Sequence, residues 1–472
     1  MTQETPTLKR ELGRWQSYAT LMGTMIGSGI FVVTGSAGAQ TGPGVIVAYA
    51  LLAPALFATA LAYAVYSSTP LGTQPGGAYS HITRTHGFYL IGYLAGWLKC
   101  IAYIGSLAVL SLSTGKYLTF FWKNVDPVVV AVAMLVLFYL INLLGVRFFG
   151  HAQLGMFLLL VVAVVLLVVP GLFAVDRDNL TPILPFGWSG LFVAMAPLFY
   201  AYQGFESLAQ AAGETKDARR QIPKRFFIGV GGAMGVYVSM SFVAFGVVPF
   251  QQLAASDSAM ALVASRYLPF GAASIVAIGA IMAFTTSTNA CLMIPSRLTY
   301  AMANDRVIPR ALARVNTRLR TPDLALTACT AIAIVLVVSK TLDYMADAVV
   351  QSFLLLYSIH SLTLVALPFA RPALLQKAWF RPPTWLLVAA GLFSAACLGY
   401  LTYITLPTVI WLLTGWTAIG LVLYAVGRIS GARERFDYAG NLTASWLHDS
   451  EVIDNRSRTT HHSPRPTRAR RQ

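Results

Sequence analysis

Two hydrophobic stretches of the chain contain residues that disfavour a continuous helix at their centres. In the first stretch these residues are Gly27, Ser28 and Gly29. A glycine in a helix interior costs about 1 kcal/mol relative to alanine, so this spacing favours a local interruption. The N–H groups that an interruption leaves unpaired, with the positive end of the next helix, can bind an anion. Close helix packing through small residues is the alternative explanation.

The sixth hydrophobic stretch contains a second group of polar residues, in the run Phe199-Tyr-Ala-Tyr-Gln-Gly-Phe-Glu206. It places Gln203, Gly204 and a carboxylate inside an otherwise apolar segment. An ionisable group at the centre of a membrane helix costs at least about 2.5 kcal/mol, so such groups are usually functional. Glu206 is therefore a candidate functional residue beside a second interruption.

Lys99 is a further charged residue within an apolar stretch. A buried amine can carry a proton or serve as a counter-charge to a buried acid. A long lysine side chain can also extend to the membrane surface and keep its ammonium in water. The sequence leaves both interpretations open.

Membrane helices must position these residues. The chain is 56% hydrophobic, only 11% charged, and has a mean hydropathy of +0.64, whereas soluble domains contain roughly 25% charged residues. A helix crosses the hydrocarbon core with about 20 mostly apolar residues. We therefore predict an all-α polytopic membrane protein with twelve transmembrane helices. The predicted spans are 15–38, 44–66, 88–118, 127–146, 153–174, 189–212, 226–248, 271–302, 323–339, 345–369, 384–405 and 407–427.

The basic residues predict how the chain is oriented. The net charge is +16, and most of the 34 lysines and arginines lie in connections that twelve alternating helices place on one side. Because cytoplasmic loops are enriched in these residues, we expect both termini in the cytoplasm of a multi-pass cell-membrane protein. The charge is then explained by topology and contact with the lipid bilayer, without a nucleic-acid partner. Residues 1–14 are expected to form the cytoplasmic N-terminus, and the basic segment 428–472 is expected to be a disordered cytoplasmic tail.

The two interrupted stretches are the first and the sixth predicted spans. An offset of five helices is typical of an inverted repeat of five plus five helices. We therefore predict a transport core over residues 15–369, with helices 11 and 12 in residues 384–427 outside the repeat. The four cysteines lack the spacing of metal ligands, and we predict no metal and no cofactor. Nor does the chain contain the paired carboxylates or nucleophile–base motif of a polytopic membrane enzyme, so we expect no enzymatic activity.

Four motifs, in order along the chain, resemble those of the amino acid, polyamine and organocation (APC) transporters. They lie at residues 23–31, 74–79, 204–224 and 289–309. The resemblance implies secondary active transport of an amino acid or a related amine by alternating access. Symport with a proton or sodium and exchange of one amino acid or polyamine for another remain alternatives. The oligomeric state is left open.

The resemblance also implies a substrate site at the two interruptions. Members of this family bind the substrate carboxylate through backbone amides that correspond to Ser28 and Gly29, with Gly27 allowing close approach. Carbonyl groups that bind the substrate ammonium correspond to those of Met25, Tyr200 and Gln203. The ring of Tyr200 would cover the substrate or, alternatively, only contribute to packing.

Coupling or gating is assigned by the same resemblance to Glu206, Thr285 and Ser287. Lys99 is assigned to coupling because its amine lies within an apolar stretch, at a position where the family usually has an apolar residue. Glu206 matches an acidic position that holds the interrupted sixth helix or senses protons. Hydroxyls of the eighth helix, here in the run 285–289, lie beside the first helix in sodium-dependent members and form an oxygen cage. Hydroxyls bonded to carbonyls of their own helix are the alternative. The lysine that some members have in the fifth helix is replaced by Leu160.

Overall fold

The computed structural model describes residues 10–27, 29–119, 121–256, 258–339 and 342–431. Within these residues the secondary structure is helical, apart from one isolated parallel bridge between Leu12 and Thr215. The all-α prediction is therefore confirmed for this part of the chain. The α-helices are α1 Arg14–Met25, α2 Thr34–Thr41, α3 Val45–Ser68, α4 Ala78–His86, α5 Tyr89–Leu118, α6 Pro127–Leu143, α7 Val146–Gly171, α8 Gly187–Tyr202, α9 Ser207–Gln210, α10 Ala218–Val247, α11 Phe250–Ala254, α12 Ala259–Tyr267, α13 Phe270–Asn304, α14 Asp323–Val338, α15 Leu342–Ala370, α16 Pro372–Gln376 and α17 Thr384–Gly431.

Seven helical runs in the described residues are long and apolar enough to cross a membrane. They are Arg14–Ser68, Tyr89–Leu118, Val146–Gly171, Ala218–Val247, Gly271–Asn304, Met345–Ala370 and Thr384–Arg428, and two shorter apolar helices are Pro127–Leu143 and Asp323–Val338. Large apolar side chains such as Leu137, Leu158 and Trp411 are exposed on α6, α7 and α17. Such an apolar exterior suits lipid as solvent, and the multi-pass membrane protein is confirmed.

The first apolar run is interrupted after Met25, at the end of α1. Ile26 has backbone angles of φ −79° and ψ 76°, which lie outside the helical region. The chain resumes with a π-helical turn, Gly29–Val33, that leads directly into α2. Ser28 lies outside the described residues.

A second interruption follows Tyr202, at the end of α8. Gln203 is extended, with φ −64° and ψ 153°, and Gly204 has a φ of 97°. That φ favours glycine. A Cβ atom at Gly204 would also lie 2.5 Å from the side chain of Thr24. The predicted span 189–212 is thus an α-helix, an irregular segment, the short helix α9 and a 3₁₀ turn at Ala211–Glu214.

The segment predicted as two helices, separated at residue 406, has continuous helical backbone in α17. Pro407 lies inside this run, where a proline removes one backbone hydrogen bond and favours a kink. The two halves of the run contact different helices. Thr405 donates a hydrogen bond to Gln351 of α15, whereas the ring of Trp416 stacks on Trp97 of α5 at 4.4 Å. The expected separation into two helices is corrected to a change of partner within one helical run.

Residues 10–12 precede α1 and are attached to the segment that follows α9. The backbone N–H groups of Glu11 and Leu12 both donate to the carbonyl oxygen of Glu214 at 3.0 Å, and the N–H group of Lys216 donates to that of Leu12 at 3.1 Å. These bonds form the isolated bridge. The predicted tail 428–472 lies outside the described residues from 432 onward.

Candidate functional site

The two interruptions contact each other through the backbone of α8. An added Cβ atom at Gly29 would lie 2.4 Å from the Cα atom of Ala201. The hydroxyl group of Tyr237, on α10, lies 2.8 Å from the carbonyl oxygen of Met25 and 2.6 Å from that of Ala201. Both carbonyls belong to the last turns of interrupted helices, where carbonyl groups lack an intrahelical donor. Tyr237 therefore joins α1 to α8 at the interruptions.

The carbonyl group of Met25, predicted to bind a substrate ammonium, is already hydrogen-bonded within the protein. Besides the hydroxyl of Tyr237 at 2.8 Å, it accepts from the N–H group of Gly27 at 2.8 Å. The hydroxyl of Tyr237 has one hydrogen, which it shares between this carbonyl and that of Ala201. An added Cβ atom at Gly27 would lie 2.5 Å from the Oγ atom of Ser287, which explains why a glycine occupies this position.

Gln203 presents a polar group at the second interruption. Its Nε2 atom donates to the Oγ atom of Ser106, on α5, at 3.4 Å. Its Oε1 atom is buried and has no hydrogen-bond partner among the described residues. A buried acceptor without a donor is unfavourable, so this oxygen is suited to a ligand that donates. The side chain of Tyr200 is buried, and its carbonyl oxygen accepts from the N–H group of Gln203 at 3.4 Å.

Glu206 is fully buried and its carboxylate has four donors. Its Oε1 atom lies 3.0 Å from the ammonium of Lys99 and accepts from the hydroxyl of Tyr103 at 2.6 Å. Its Oε2 atom accepts from the hydroxyl of Tyr357 at 2.5 Å and from the N–H group of Gly204 at 3.2 Å. The carboxylate thus joins α5 and α15 to the interruption after α8.

Lys99 lies in the protein interior, with a side chain that is 0% exposed. With its amide oriented to suit both neighbours, Gln210 accepts from the ammonium of Lys99 at 2.8 Å and donates to the carbonyl oxygen of Gly76 at 3.1 Å. The ammonium also lies 5.8 Å from the ring of Tyr63 and 5.6 Å from that of Tyr103, within the range of a cation–π interaction. The side chain does not extend to the membrane surface, so that interpretation of Lys99 is wrong.

Hydroxyl groups of α13 contact the C-terminal end of α1, but only one of the two predicted residues, Ser287, is among them. Ser287 donates to the carbonyl oxygen of Gly23 at 2.8 Å, and Thr286 lies 3.1 Å from the same atom. Thr285 instead donates to the carbonyl oxygen of Met282, in its own helix, at 3.0 Å. Thr286 belongs to the predicted run 285–289 but was not assigned to coupling, whereas Thr285 was assigned and does not contact α1 through this hydroxyl.

A chain of buried amides extends from this region to α6. The Nε2 atom of Gln153 donates to the carbonyl oxygens of Thr286 at 3.1 Å and Ala19 at 3.3 Å. Asn289 donates to the Oε1 atom of Gln153 at 2.9 Å, and Asn142 donates to the Oδ1 atom of Asn289 at 2.9 Å. The sequence does not predict this chain, because Asn142 and Gln153 are single polar residues in apolar helices. Of the three amides, only Asn289 belongs to one of the four motifs.

Two motif residues form a buried ion pair near the bridge before α1. Arg297 donates to Glu214 through two nitrogen atoms, at 3.0 Å and 3.1 Å, and both side chains are 1% exposed. The end of α13 is held by a second pair, in which Arg84 lies 2.9 Å from Asp305 with exposures of 14% and 18%. The motifs at 204–224 and 289–309 are therefore in direct contact.

Comparison with known proteins identifies the family of this chain. A family model described as amino acid permease matches residues 12–427. The chain belongs to the amino acid permease family. The APC resemblance is thereby confirmed, and the members of this family are transporters rather than enzymes.

Similar permeases and transporters cover most of the chain. The branched-chain amino acid permease BcaP of Bacillus subtilis is 28% identical over 89% of this chain and 93% of its own length. A methylthioribose transporter of the same organism is 27% identical over the same shares of both chains. The aromatic amino acid transport protein AroP of Escherichia coli is 25% identical over 66% of this permease and 70% of its own length.

Proposed function

We propose that this permease transports amino acids across the cell membrane by alternating access, with the substrate bound where the interruptions of α1 and α8 meet. The contact between these interruptions, joined by Tyr237, carries the proposal. Binding where two helices are interrupted is typical of secondary transporters, because the freed backbone groups recognise charged substrate groups.

The substrate carboxylate would bind at the start of the helical run that begins at Gly29. The first N–H groups of a helix have no acceptor within it, and the helix dipole adds a partial positive charge there. The π-helical turn Gly29–Val33 continues directly into α2, which lengthens this dipole. The assignment of Ser28 to the same site remains a prediction from the sequence.

The substrate ammonium would bind at the C-terminal ends of α1 and α8. The Oε1 atom of Gln203 is the acceptor that lacks a donor among the described residues. The carbonyl of Met25 can accept from a substrate ammonium once its hydrogen bond with the hydroxyl of Tyr237 is broken. Substrate binding therefore competes with a contact that joins the two interrupted helices, which couples occupancy of the site to helix movement.

For the topology we propose twelve spans, with both termini in the cytoplasm and an inverted repeat of five plus five helices. The interruptions lie in the first and the sixth predicted spans, as such a repeat requires. Two crossings within α17 would require the run to reverse its direction near Pro407, between the half that contacts α15 and the half that contacts α5. The distribution of lysine and arginine supports the orientation.

We propose the proton, rather than sodium, as the coupling ion. A sodium site between α1 and α13 would need free carbonyl and hydroxyl oxygens. The carbonyl of Gly23 accepts from hydroxyls of Thr286 and Ser287, and the carbonyl of Thr286 accepts from Gln153. Lys99 and Glu206 supply a buried base and acid, and Tyr103 and Tyr357 place this pair at the interruption that substrate binding would alter.

The proposal is tested with purified permease in liposomes. Labelled leucine, phenylalanine and alanine are offered under an imposed proton gradient, an imposed sodium gradient, or with only unlabelled amino acid inside. We expect uptake that a proton gradient drives. Stimulation by internal amino acid alone would instead indicate exchange, and no uptake of any amino acid would contradict the proposed function.

A further inference from the structure

Buried acidic side chains are rare in this permease. Among the residues whose side chains the structure describes, only Glu206 and Glu214 are buried acids. Glu214 is held by two nitrogen atoms of Arg297, at 3.0 Å and 3.1 Å. Glu206 is consequently the only described acid that is buried at an interruption. A substrate with a cationic side chain would need an anion there, and Glu206 is the available candidate.

Glu206 has no capacity left for a substrate cation. Its two oxygen atoms accept from Lys99, Tyr103, Tyr357 and the backbone of Gly204. The ammonium of Lys99 lies 3.0 Å away and compensates the negative charge. The pair is electrically neutral as a whole, so it offers no net attraction to another cation.

The other polar side chains at the interruptions carry no charge. Ser106, Gln203 and Ser287 supply hydroxyl and amide groups. These groups can bind the carboxylate and ammonium that every amino acid has, but they do not compensate an additional positive charge. A buried charge without a partner is strongly unfavourable. A lysine or arginine side chain, or a polyamine, would bring such a charge.

We infer that Lys99 is a specificity-determining residue, which restricts this permease to amino acids with uncharged side chains by neutralising Glu206. The inference rests on the proposed function, in which the substrate binds at the two interruptions. Lys99 acts here through Glu206 and does not need to touch the substrate.

The wild-type protein provides the first test. Counterflow of labelled leucine, phenylalanine or alanine into liposomes requires no ion gradient, so it measures recognition separately from coupling. We expect external lysine, arginine or putrescine to inhibit counterflow about a hundredfold more weakly than unlabelled neutral amino acids. Equal inhibition by cationic and neutral compounds would overturn the inference while leaving amino acid transport established. Absence of counterflow with every amino acid would contradict the proposed function itself.

Substitution of Lys99 provides the second test. Lys99→Met removes the compensating charge and leaves Glu206, so we expect inhibition by lysine or arginine, relative to leucine, to strengthen about tenfold. The double variant Lys99→Met/Glu206→Gln removes both charges. It should return the ratio of inhibition by lysine or arginine to inhibition by leucine toward the wild-type value. Lys116→Met replaces an exposed lysine of the same helix and serves as the control. A ratio that stays at the wild-type value in Lys99→Met would overturn the inference, and the wild-type measurement remains decisive if that variant does not fold.

Discussion

The hydroxyl group of Tyr237 lies 2.8 Å from the carbonyl oxygen of Met25, at the point where α1 ends. A side chain of α10 therefore occupies the position that a substrate ammonium would take in the proposed site. The same hydroxyl lies 2.6 Å from the carbonyl oxygen of Ala201, so it bridges the ends of the two interrupted helices. In the proposed site, a substrate ammonium would have to displace this hydroxyl to reach the carbonyl of Met25.

Tyr237→Phe tests this competition. Loss of the hydroxyl leaves two carbonyl oxygens without this donor, and we expect the protein to be destabilised by about 1 kcal/mol. Because the substrate then displaces no hydroxyl, we expect a lower KM for amino acid uptake. Thermal unfolding in detergent and initial uptake rates measure the two effects. A KM that rises severalfold would show that Tyr237 assists binding instead.

Gly29→Ala tests the close approach of the two interruptions. The added methyl group would lie 2.4 Å from the Cα atom of Ala201, so the π-helical turn has to move away from α8. We expect loss of uptake with normal membrane insertion, and the larger Gly29→Leu change should have the same result. Gly155→Ala is the matched control, since a Cβ atom there meets nothing within 4 Å. Normal uptake by either Gly29 variant would count against the site.

Replacement of sodium tests the assignment of the hydroxyl groups on α13. Because Gly23 already accepts from Ser287, we expect uptake to be unchanged when choline replaces sodium on both sides of the membrane. Ser287→Ala should weaken the contact between α1 and α13 and destabilise the protein by about 1 kcal/mol. Sodium-stimulated uptake that Ser287→Ala abolishes would reinstate a sodium site.

The buried pair of Arg297 and Glu214 is expected to be more sensitive than the partly exposed pair of Arg84 and Asp305. Arg297→Met leaves a buried carboxylate uncompensated, which we expect to cost about 3–5 kcal/mol. Arg84→Met should cost less, about 1.5–3 kcal/mol, because both partners are partly exposed. Thermal unfolding of both variants gives the comparison. Equal destabilisation would mean that the burial of Glu214 is not decisive.

The sequence predicted the interruptions because their signal is local. Gly27, Gly29 and Gly204 are glycines in apolar stretches, and each position leaves little or no room for a Cβ atom. A polar residue in an apolar helix is likewise visible without knowledge of the fold, which is why Lys99 and Glu206 were identified separately.

Their partnership could not be predicted in the same way. Lys99 and Glu206 are far apart in the sequence, and only the fold, which places α5 beside the irregular segment between α8 and α9, brings them to 3.0 Å. Whether Thr285 or Ser287 faces α1 depends on how α13 is rotated about its own axis, which the sequence does not give. Residues two apart point about 200° away from each other around an α-helix, so only one of them can face α1. Tyr237 gave no signal, because tyrosines are common in apolar helices.

The backbone bridge between Leu12 and Thr215 has a mechanical consequence. It ties the start of α1 to the segment after α9, while Tyr237 ties the end of α1 to α8. These two attachments lie at opposite ends of α1, so a movement of α1 alone would have to break hydrogen bonds at one end or the other. A conformational change that keeps both sets of hydrogen bonds must therefore move α1 together with α8 and the segment after α9.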